Sequence, residues 1–304
     1  MSGPKEHMRR YQHLAMATLF ELMIADEDDA FADGAAQAAF EEIDRLEQDL
    51  SRYLPNSDIS RINNLQPDQS LRVSADTFEC LRLSLQYYEE TGGAFDVTTG
   101  ALMGCWVGRD KSLLAPSAEE IEQARGRSGM SRLELDEKNM TIRLHGPAPL
   151  IDLGAIGKGF AVDFAAELLK EWGVGSALLH GGTSSAYAFG DYPGHVGWPV
   201  TLSNPAQPSE VLEKVFLKDQ GLGGSGIKKG RHIIDPRNAI PVEGRRASWV
   251  LSQSATRSDA LSTACMVMTR EEIAGLITRH QGIRAIIVDE GPDAVLRFGR
   301  WDVA

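Results

Sequence analysis

The sequence has little cysteine and little positive charge. Its three cysteines, Cys80, Cys105 and Cys265, lie far apart in 304 residues and lack the spacing of a zinc site. We expect buried free thiols in a reducing compartment. Lys and Arg number 31 against 43 Asp and Glu, a net charge of −12 that argues against nucleic-acid binding. An anionic ligand would therefore need local help from a metal ion or from helix N-termini.

Long apolar runs are also missing, and no segment approaches the length of a membrane span. The run over residues 14–24 follows Arg9 and Arg10, as in a secretory signal. It is interrupted by Thr18 and Glu21, and no small-residue cleavage site follows it. We expect this run to form a core strand and the protein to be cytoplasmic.

Helix and strand patterns fill the rest of the chain. Apolar residues at 31, 35, 39, 43, 46 and 50 have the spacing of one helix face. Capping signals predict further helices at 57–63, 75–90 and 117–125 and another that begins at Thr269, and the strand patterns predict a hairpin at 133–144 and a strand–turn–strand segment at 176–190. No linker or repeat divides the chain. We expect one α+β domain over 12–304, with mixed, largely antiparallel sheets packed with helices, preceded by a short N-terminal extension, 1–11.

The stretch at residues 151–169, IDLGAIGKGFAVDFAAELL, is predicted to form a strand, a glycine loop and a helix that ends at Gly173. Glycines before a helix often cradle a phosphate, because the free N–H groups and the positive dipole end point at the anion. Lys158 is followed by glycine, so a Walker loop does not fit, and the glycine spacing reverses the dinucleotide fingerprint. The identity of the bound phosphate is left open by the motif.

Asp259 and Thr263 are four residues apart in SDALST, so on a helix they project from one face. A carboxylate and a hydroxyl are oxygen ligands suited to Mg²⁺, which completes its shell with water and substrate phosphates. Alternatively, Asp259 caps or charges the first turn and Thr263 packs.

His232 begins HIIDPRNAIP, with Asp235 close by. A histidine that titrates near neutral pH is the usual general base for a hydroxyl. The alternative is a strand-end histidine followed by an aspartate that forms a turn before proline.

Two further stretches contain residues suited to contact a ligand. In TGGAFDVTTG the glycines allow close approach to a ligand, and Asp96 would accept hydrogen bonds from an adenine amine or a ribose. The alternative there is a helix cap at Gly92 followed by an Asp turn. Tyr53 would stack on a planar ring, or else pack under Pro55.

Eight blocks in order resemble the ApbE family, the FAD:protein FMN transferases, over nearly the whole chain. The blocks are Met16-x-Thr18, the run from Ser51 to Asn63, GAFD-x-T at 93–98, IDLGAIGKGFAVD, Gly181-Gly182, Ser225-Gly226, HIIDPR and SDALST. The resemblance implies an ApbE-type, T-fold-like architecture and transfer of FMN from FAD to a Thr or Ser hydroxyl of an acceptor flavoprotein, with release of AMP. It also implies that the glycine loop faces the pyrophosphate of FAD together with Mg²⁺.

The resemblance assigns the site residue by residue. The implied metal ligands are Asp259, Thr263 and a loop carbonyl, here that of Ala155. His232 and Lys158 are the implied catalytic residues. The implied FAD-binding positions are Met16, Tyr53, Asn63, Ala94, Phe95, Asp96, Asp152 and Lys158.

The chain departs from the family pattern at two turns. Thr183 stands where relatives often have Asp, and Asn238-Ala239 stands where they usually have Thr-Gly. Many relatives are exported lipoproteins, and no signal or lipid-bearing cysteine is visible here. The alternatives to the transferase are an FAD pyrophosphatase, with water as acceptor, and a non-catalytic FAD-binding protein.

Overall fold

A computed structural model describes residues 8–25, 28–108, 110, 112–230, 232–291 and 294–301. The strands are β1 (Met8–Ala15), β2 (Thr18–Ala25), β3 (Ser70–Arg72), β4 (Leu133–Asp136), β5 (Thr141–Leu144), β6 (Ala177–Gly181), β7 (Ser185–Phe189), β8 (Trp198–Ser203), β9 (Val211–Leu217), β10 (Gln220–Gly226), β11 (Ile234–Asp235), β12 (Ile240–Pro241), β13 (Arg245–Ser252), β14 (Arg284–Asp289) and β15 (Val295–Phe298). The α-helices are α1 (Asp29–Leu50), α2 (Asp58–Asn63), α3 (Ala75–Glu90), α4 (Gly100–Trp106), α5 (Ala118–Arg125), α6 (Gly157–Trp172), α7 (Ala255–Val267) and α8 (Arg270–Arg279).

One eight-stranded sheet organises the described residues. Its order is β1-β2-β6-β7-β10-β13-β14-β15, and every neighbouring pair is antiparallel. Three smaller sheets, β3-β5-β4, β8-β9 and β11-β12, are antiparallel as well. The α+β class and the largely antiparallel pairing predicted from the sequence are therefore confirmed.

Both faces of the main sheet are covered, which explains why its central strands are apolar on both sides. Leu179 and Tyr187 belong to the core that also contains the buried faces of α1, α6 and α7. Leu178 and Ala188 point the other way, into a second core closed by the β8–β9 hairpin. Successive residues of a strand point to opposite faces of the sheet. A sheet with a core on both faces therefore requires apolar residues at successive positions and not only at alternate ones.

The predicted caps lie where the sequence placed them. Ser57 and Ser74 each accept a backbone N–H at the start of a helix, and Ser117 and Thr269 form complete capping boxes. Ser254, which the sequence analysis did not single out, caps α7 in the same way. No helix in the described ranges is both long and apolar enough to span a membrane.

The N-terminal prediction of a single strand over 14–24 is wrong. The segment is a hairpin, because Met16 and Ala17 adopt left-handed φ angles of 49° and 55° and reverse the chain between β1 and β2. Residues 8–11, expected to belong to an N-terminal extension, form the first half of β1 and pair with β2.

One further strand prediction is wrong, and one strand was not predicted. Residues 151–153 form no strand in this described part of the chain; only Leu150 makes a single bridge, with Thr99. Conversely, QGLGGSG forms the central strand β10, which a glycine-rich sequence did not predict.

Candidate functional site

Gly159, the last glycine of the 151–169 stretch, lets helices α6 and α7 touch. A Cβ atom on Gly159 would lie 2.4 Å from the Ala255 carbonyl oxygen and 2.9 Å from the Asp259 Cβ. The Gly159 N–H donates to Asp259 Oδ2 at 3.1 Å. This glycine therefore serves close helix packing, and its N–H, at the start of α6, is directed at a carboxylate of the protein itself.

Asp259 is almost fully buried beside Lys158. The Lys158 amine lies 3.6 Å from Asp259 Oδ2 and donates to the Gly154 carbonyl at 2.9 Å. A cation and the positive end of helix α6 thus face one carboxylate. Asp259 is not the cap of its own helix, because Ser254 occupies that position, so the capping alternative is wrong.

Thr263 follows Asp259 by one turn and joins a chain of hydroxyls. Its Oγ1 lies 2.9 Å from Ser225 Oγ, which lies 2.8 Å from Ser262 Oγ. Ser225 is at the end of β10, so the strand reaches the same side of α7 as the predicted ligand pair. A neighbouring hydroxyl of this kind orients a ligand by fixing where its proton points.

The Ala155 carbonyl lies just before helix α6, which begins at Gly157. The Gly159 N–H belongs to the first turn of that helix, whose N–H groups have no partner within the helix, and it donates to Asp259. No backbone hydrogen bond among the described residues ends on the Ala155 oxygen. Carboxylate, hydroxyl and carbonyl oxygens are the donors that Mg²⁺ prefers, so Asp259, Thr263 and Ala155 fit a hard cation.

Asp152 is held between the glycine loop and an arginine that the sequence analysis did not single out. Its Oδ1 accepts from the Gly154 N–H at 2.8 Å, and its Oδ2 lies 3.2 Å from Arg52 Nη1. The Arg52 guanidinium lies over the Tyr53 ring, 4.9 Å from the centroid. The Tyr53 side chain is 76% exposed, so it does not pack under Pro55. Only its position before Tyr53 in the family-like run pointed to Arg52.

Asn63 fixes the start of the glycine loop. Its Nδ2 donates to the Ile151 carbonyl at 3.0 Å, and its Oδ1 accepts from the Ile151 N–H at 2.7 Å. Both ends of the amide are thereby engaged with one peptide unit. This geometry assigns Asn63 to positioning of the loop that carries Asp152.

The turn at residues 94–96 lies against the same loop. Ala94 and Phe95 are buried, and the Asp96 carboxylate accepts from the Thr98 N–H at 2.7 Å and the Thr98 hydroxyl at 2.6 Å. Burial raises the pKa of Asp96. The Asp152 N–H donates to the Val97 carbonyl at 2.7 Å, which links this turn to the glycine loop.

The Met16 turn reaches the site through the Gly181-Gly182 turn. The Gly182 N–H donates to the Leu19 carbonyl at 2.9 Å. A Cβ on Gly182 would lie 2.5 Å from Thr18 Oγ1, and one on Gly181 would lie 3.5 Å from Lys158 Cβ. Thr183, where relatives often have Asp, is exposed in this turn.

His232 bonds within its own loop. Its Nδ1 lies 2.8 Å from the Gly230 carbonyl oxygen, which can only accept, so Nδ1 donates and Nε2 is the ring nitrogen left free of this bond. A short 3₁₀ turn, Ile227–Lys229, separates it from the Ser225 end of β10. Among the described residues, no hydrogen bond or ion pair joins His232 to Lys158, Asp259 or Thr263. Asp235 is tied to Arg237 in the β11–β12 turn.

A family model described as the ApbE family matches residues 16–287. A Klebsiella pneumoniae (strain 342) protein named FAD:protein FMN transferase is 26% identical over 91% of this chain and 83% of its own length. The protein of that name from Escherichia coli (strain K12) is 26% identical over 86% of this chain and 77% of its own.

Two solved structures at 26% identity have the same fold. The apo flavinyl transferase ApbE of Pseudomonas stutzeri has a TM-score of 0.84, covering 99% of this chain and 97% of that one. The apbe protein of Thermotoga maritima has a TM-score of 0.86, covering 96% and 97%. The chain belongs to the ApbE family.

Proposed function

We propose that this protein is a Mg²⁺-dependent FAD:protein FMN transferase. It would move FMN from FAD to a Thr or Ser hydroxyl of an acceptor flavoprotein and release AMP. The single observation that supports this most is the contact between the first turn of α6 and helix α7, where the Gly159 N–H and the Lys158 amine both face the buried Asp259 carboxylate. The names of the relatives supply the reaction class.

Asp259, Thr263 and the Ala155 carbonyl would hold the metal ion. A bound Mg²⁺ stabilises negative charge on a diphosphate and on the departing phosphate. Lys158 already lies between the loop and Asp259, so its amine needs little movement to meet a phosphate oxygen. A chain of net charge −12 would otherwise repel a diphosphate, and this local cation offsets that repulsion.

Residues on the loop's other side would bind the remainder of FAD. The exposed Tyr53 ring, with Arg52 against it, offers a face for stacking on a planar ring. The Met16 and 94–96 turns and Asp152 would add contacts around the cofactor, while Asn63 keeps the loop in place.

His232 would remove the proton of the acceptor hydroxyl through Nε2. The hydroxyl oxygen bonds to the phosphorus on the FMN side, the bond from that phosphorus to the bridging oxygen breaks, and AMP leaves with the electron pair. General-base help matters here because a hydroxyl is only weakly acidic. Positioning and electrostatics supply most of the remaining rate in transfers of this type.

The direct test is incubation with FAD, Mg²⁺ and an acceptor domain that carries an Asp-Gly-x-[ST]-Gly-Ala-[ST] segment. We expect the acceptor to gain the mass of FMN and AMP to appear in equal amount. FMN and AMP without labelled acceptor would instead indicate a pyrophosphatase, and FAD bound but unchanged would indicate a binding protein.

Asp259→Asn tests the metal part of the proposal. Asn would still accept from the Gly159 N–H, but it lacks the charge that holds a cation, so activity should fall at low Mg²⁺ and recover partly at high Mg²⁺ or with Mn²⁺. The matched control is Asp191→Asn, which removes the carboxylate of an exposed Lys218 ion pair and should leave activity unchanged. Wild-type activity that survives EDTA would rule out the metal.

A further inference from the structure

Asp163 is a partly buried carboxylate on α6, and it has no role in the proposed reaction. Its Oδ1 accepts from the Ala255 N–H and its Oδ2 from the Thr256 N–H, both at 2.8 Å. The Thr256 hydroxyl donates to Oδ2 as well. Removal from water raises the pKa of Asp163 to about 6. One side chain of α6 thus holds the first turn of α7.

Asp163 and Gly159 make two neighbouring contacts between helices α6 and α7. They are four residues apart on α6, so they share a face. Gly159 meets Asp259, whereas Asp163 meets Ala255, four residues earlier on α7. The later residue on α6 contacts the earlier residue on α7, so the two helices run antiparallel where they touch. The two contacts together fix the position of one helix along the axis of the other.

We propose that Asp163 is a positioning residue that sets the register of α7 against α6, and through it the spacing of the metal ligands. The inference rests on the proposed function, because it concerns the ligands of the proposed metal ion. These ligands come from both sides of the contact between the helices. Ala155 precedes α6, while Asp259 and Thr263 lie on α7. A slide of one helix would separate the carbonyl from the carboxylate.

A purely local capping role does not account for Asp163. Helix α7 has its own N-cap, Ser254, whose Oγ accepts from the Arg257 N–H at 3.1 Å. Asp163 comes from another helix and takes the two remaining N–H groups of that turn. A carboxylate accepts at both oxygens, whereas an Asn side chain would turn an NH₂ group towards one of these donors.

The test measures Mn²⁺ affinity by EPR with Mn²⁺ alone, in wild type, Asp163→Asn and Ser254→Ala. Asp163→Asn should weaken Mn²⁺ binding roughly tenfold or more, the usual scale for residues that orient metal ligands. Ser254→Ala is the matched control: it removes a cap from the same helix end, so it should lower the melting temperature and leave Mn²⁺ affinity as it was.

Thr256→Val provides a milder second variant if Asp163→Asn folds poorly. It removes one of three donors to Asp163 and keeps both backbone bonds, so a smaller loss of Mn²⁺ affinity is expected. In transfer assays, Asp163→Asn should raise the Mg²⁺ concentration for half-maximal rate more than it lowers the rate at saturating Mg²⁺.

The outcomes separate this inference from the proposed function. If wild type binds Mn²⁺ and both Asp163→Asn and Thr256→Val bind it equally well, Asp163 is only structural and the inference is wrong. If wild type itself binds no Mn²⁺, the metal assignment of the proposed function fails, and the inference fails with it.

Discussion

At the scale of the residue, the tautomer of His232 decides which atom can act as a base. Because Nδ1 donates to the Gly230 carbonyl, proton uptake falls to Nε2. His232→Ala should bind FAD nearly as wild type does but transfer FMN about a hundredfold more slowly, the usual size of a general-base effect. Calorimetry measures the first quantity and acceptor labelling the second.

Asp235 supplies the comparison for that variant. Its carboxylate is already bonded to Arg237, so Asp235→Asn should disturb the β11–β12 turn without slowing transfer as severely. The opposite ranking, with His232→Ala fully active and Asp235→Asn impaired, would transfer the role of base to Asp235.

The cysteines show how far single residues can be predicted from composition. All three are free, as expected, and Cys80 and Cys265 are buried. Burial raises the pKa of the Cys80 thiol and raises that of Cys265 to about 12. Cys105 is only half-buried. The number of cysteines and their separation in the sequence do not predict this difference in burial.

At the scale of the element, the closeness of α6 and α7 predicts opposite outcomes for two glycines in the first turn of α6. A methyl on Gly159 would lie 2.4 Å from the Ala255 carbonyl oxygen, whereas one on Gly157 would lie 3.6 Å from Leu153 Cβ. Gly159→Ala should destabilise the fold by about 1–3 kcal/mol, as overpacking does, and abolish transfer. Gly157→Ala should melt at or above the wild-type temperature, because alanine favours helix.

Thermal melting of the two variants side by side measures this difference. Equal melting temperatures would mean that α7 moves away from the added methyl without cost. Transfer activity retained in Gly159→Ala would mean in addition that the ligand spacing tolerates that movement.

Elements with local signals were predictable and elements made by tertiary contacts were not. The caps at Ser57, Ser74 and Ser117 are hydrogen bonds within a few residues, so sequence placed those helices correctly. Strand β10 pairs with β7 and β13, and α7 lies directly on it: a Cβ on Gly223 would be 2.0 Å from the Ser258 carbonyl oxygen. Its glycines are required by packing, yet in isolation they read as a loop.

The candidate site shows the same limit. Gly159 and Asp259 are 100 residues apart in the sequence, and their hydrogen bond follows from the packing of two helices. Residue chemistry alone left Asp259 as ligand or cap, and the family resemblance, not spacing, joined it to the glycine loop. Arg52 and Asp163 act through partners distant in sequence, so neither had a local signal.

At the scale of the whole molecule, the candidate site draws on segments from the β1–β2 turn to α7, so ligand binding should stabilise the entire fold. FAD with Mg²⁺ at about 100 times its dissociation constant would add about 2.7 kcal/mol. For a chain of this size that corresponds to a rise in melting temperature of roughly 4 °C. FMN should give a smaller rise, because it lacks the AMP half and the diphosphate that faces Lys158.

EDTA completes this experiment, which differential scanning fluorimetry can follow. Without Mg²⁺, the diphosphate would meet the Asp259 carboxylate and a net charge of −12, which Lys158 offsets less well than Lys158 and a divalent cation together. The rise produced by FAD should therefore shrink in EDTA, while the melting temperature of the protein alone stays the same. A rise equal for FAD and FMN, or one for FAD that EDTA leaves intact, would contradict a site built for a metal-bound dinucleotide.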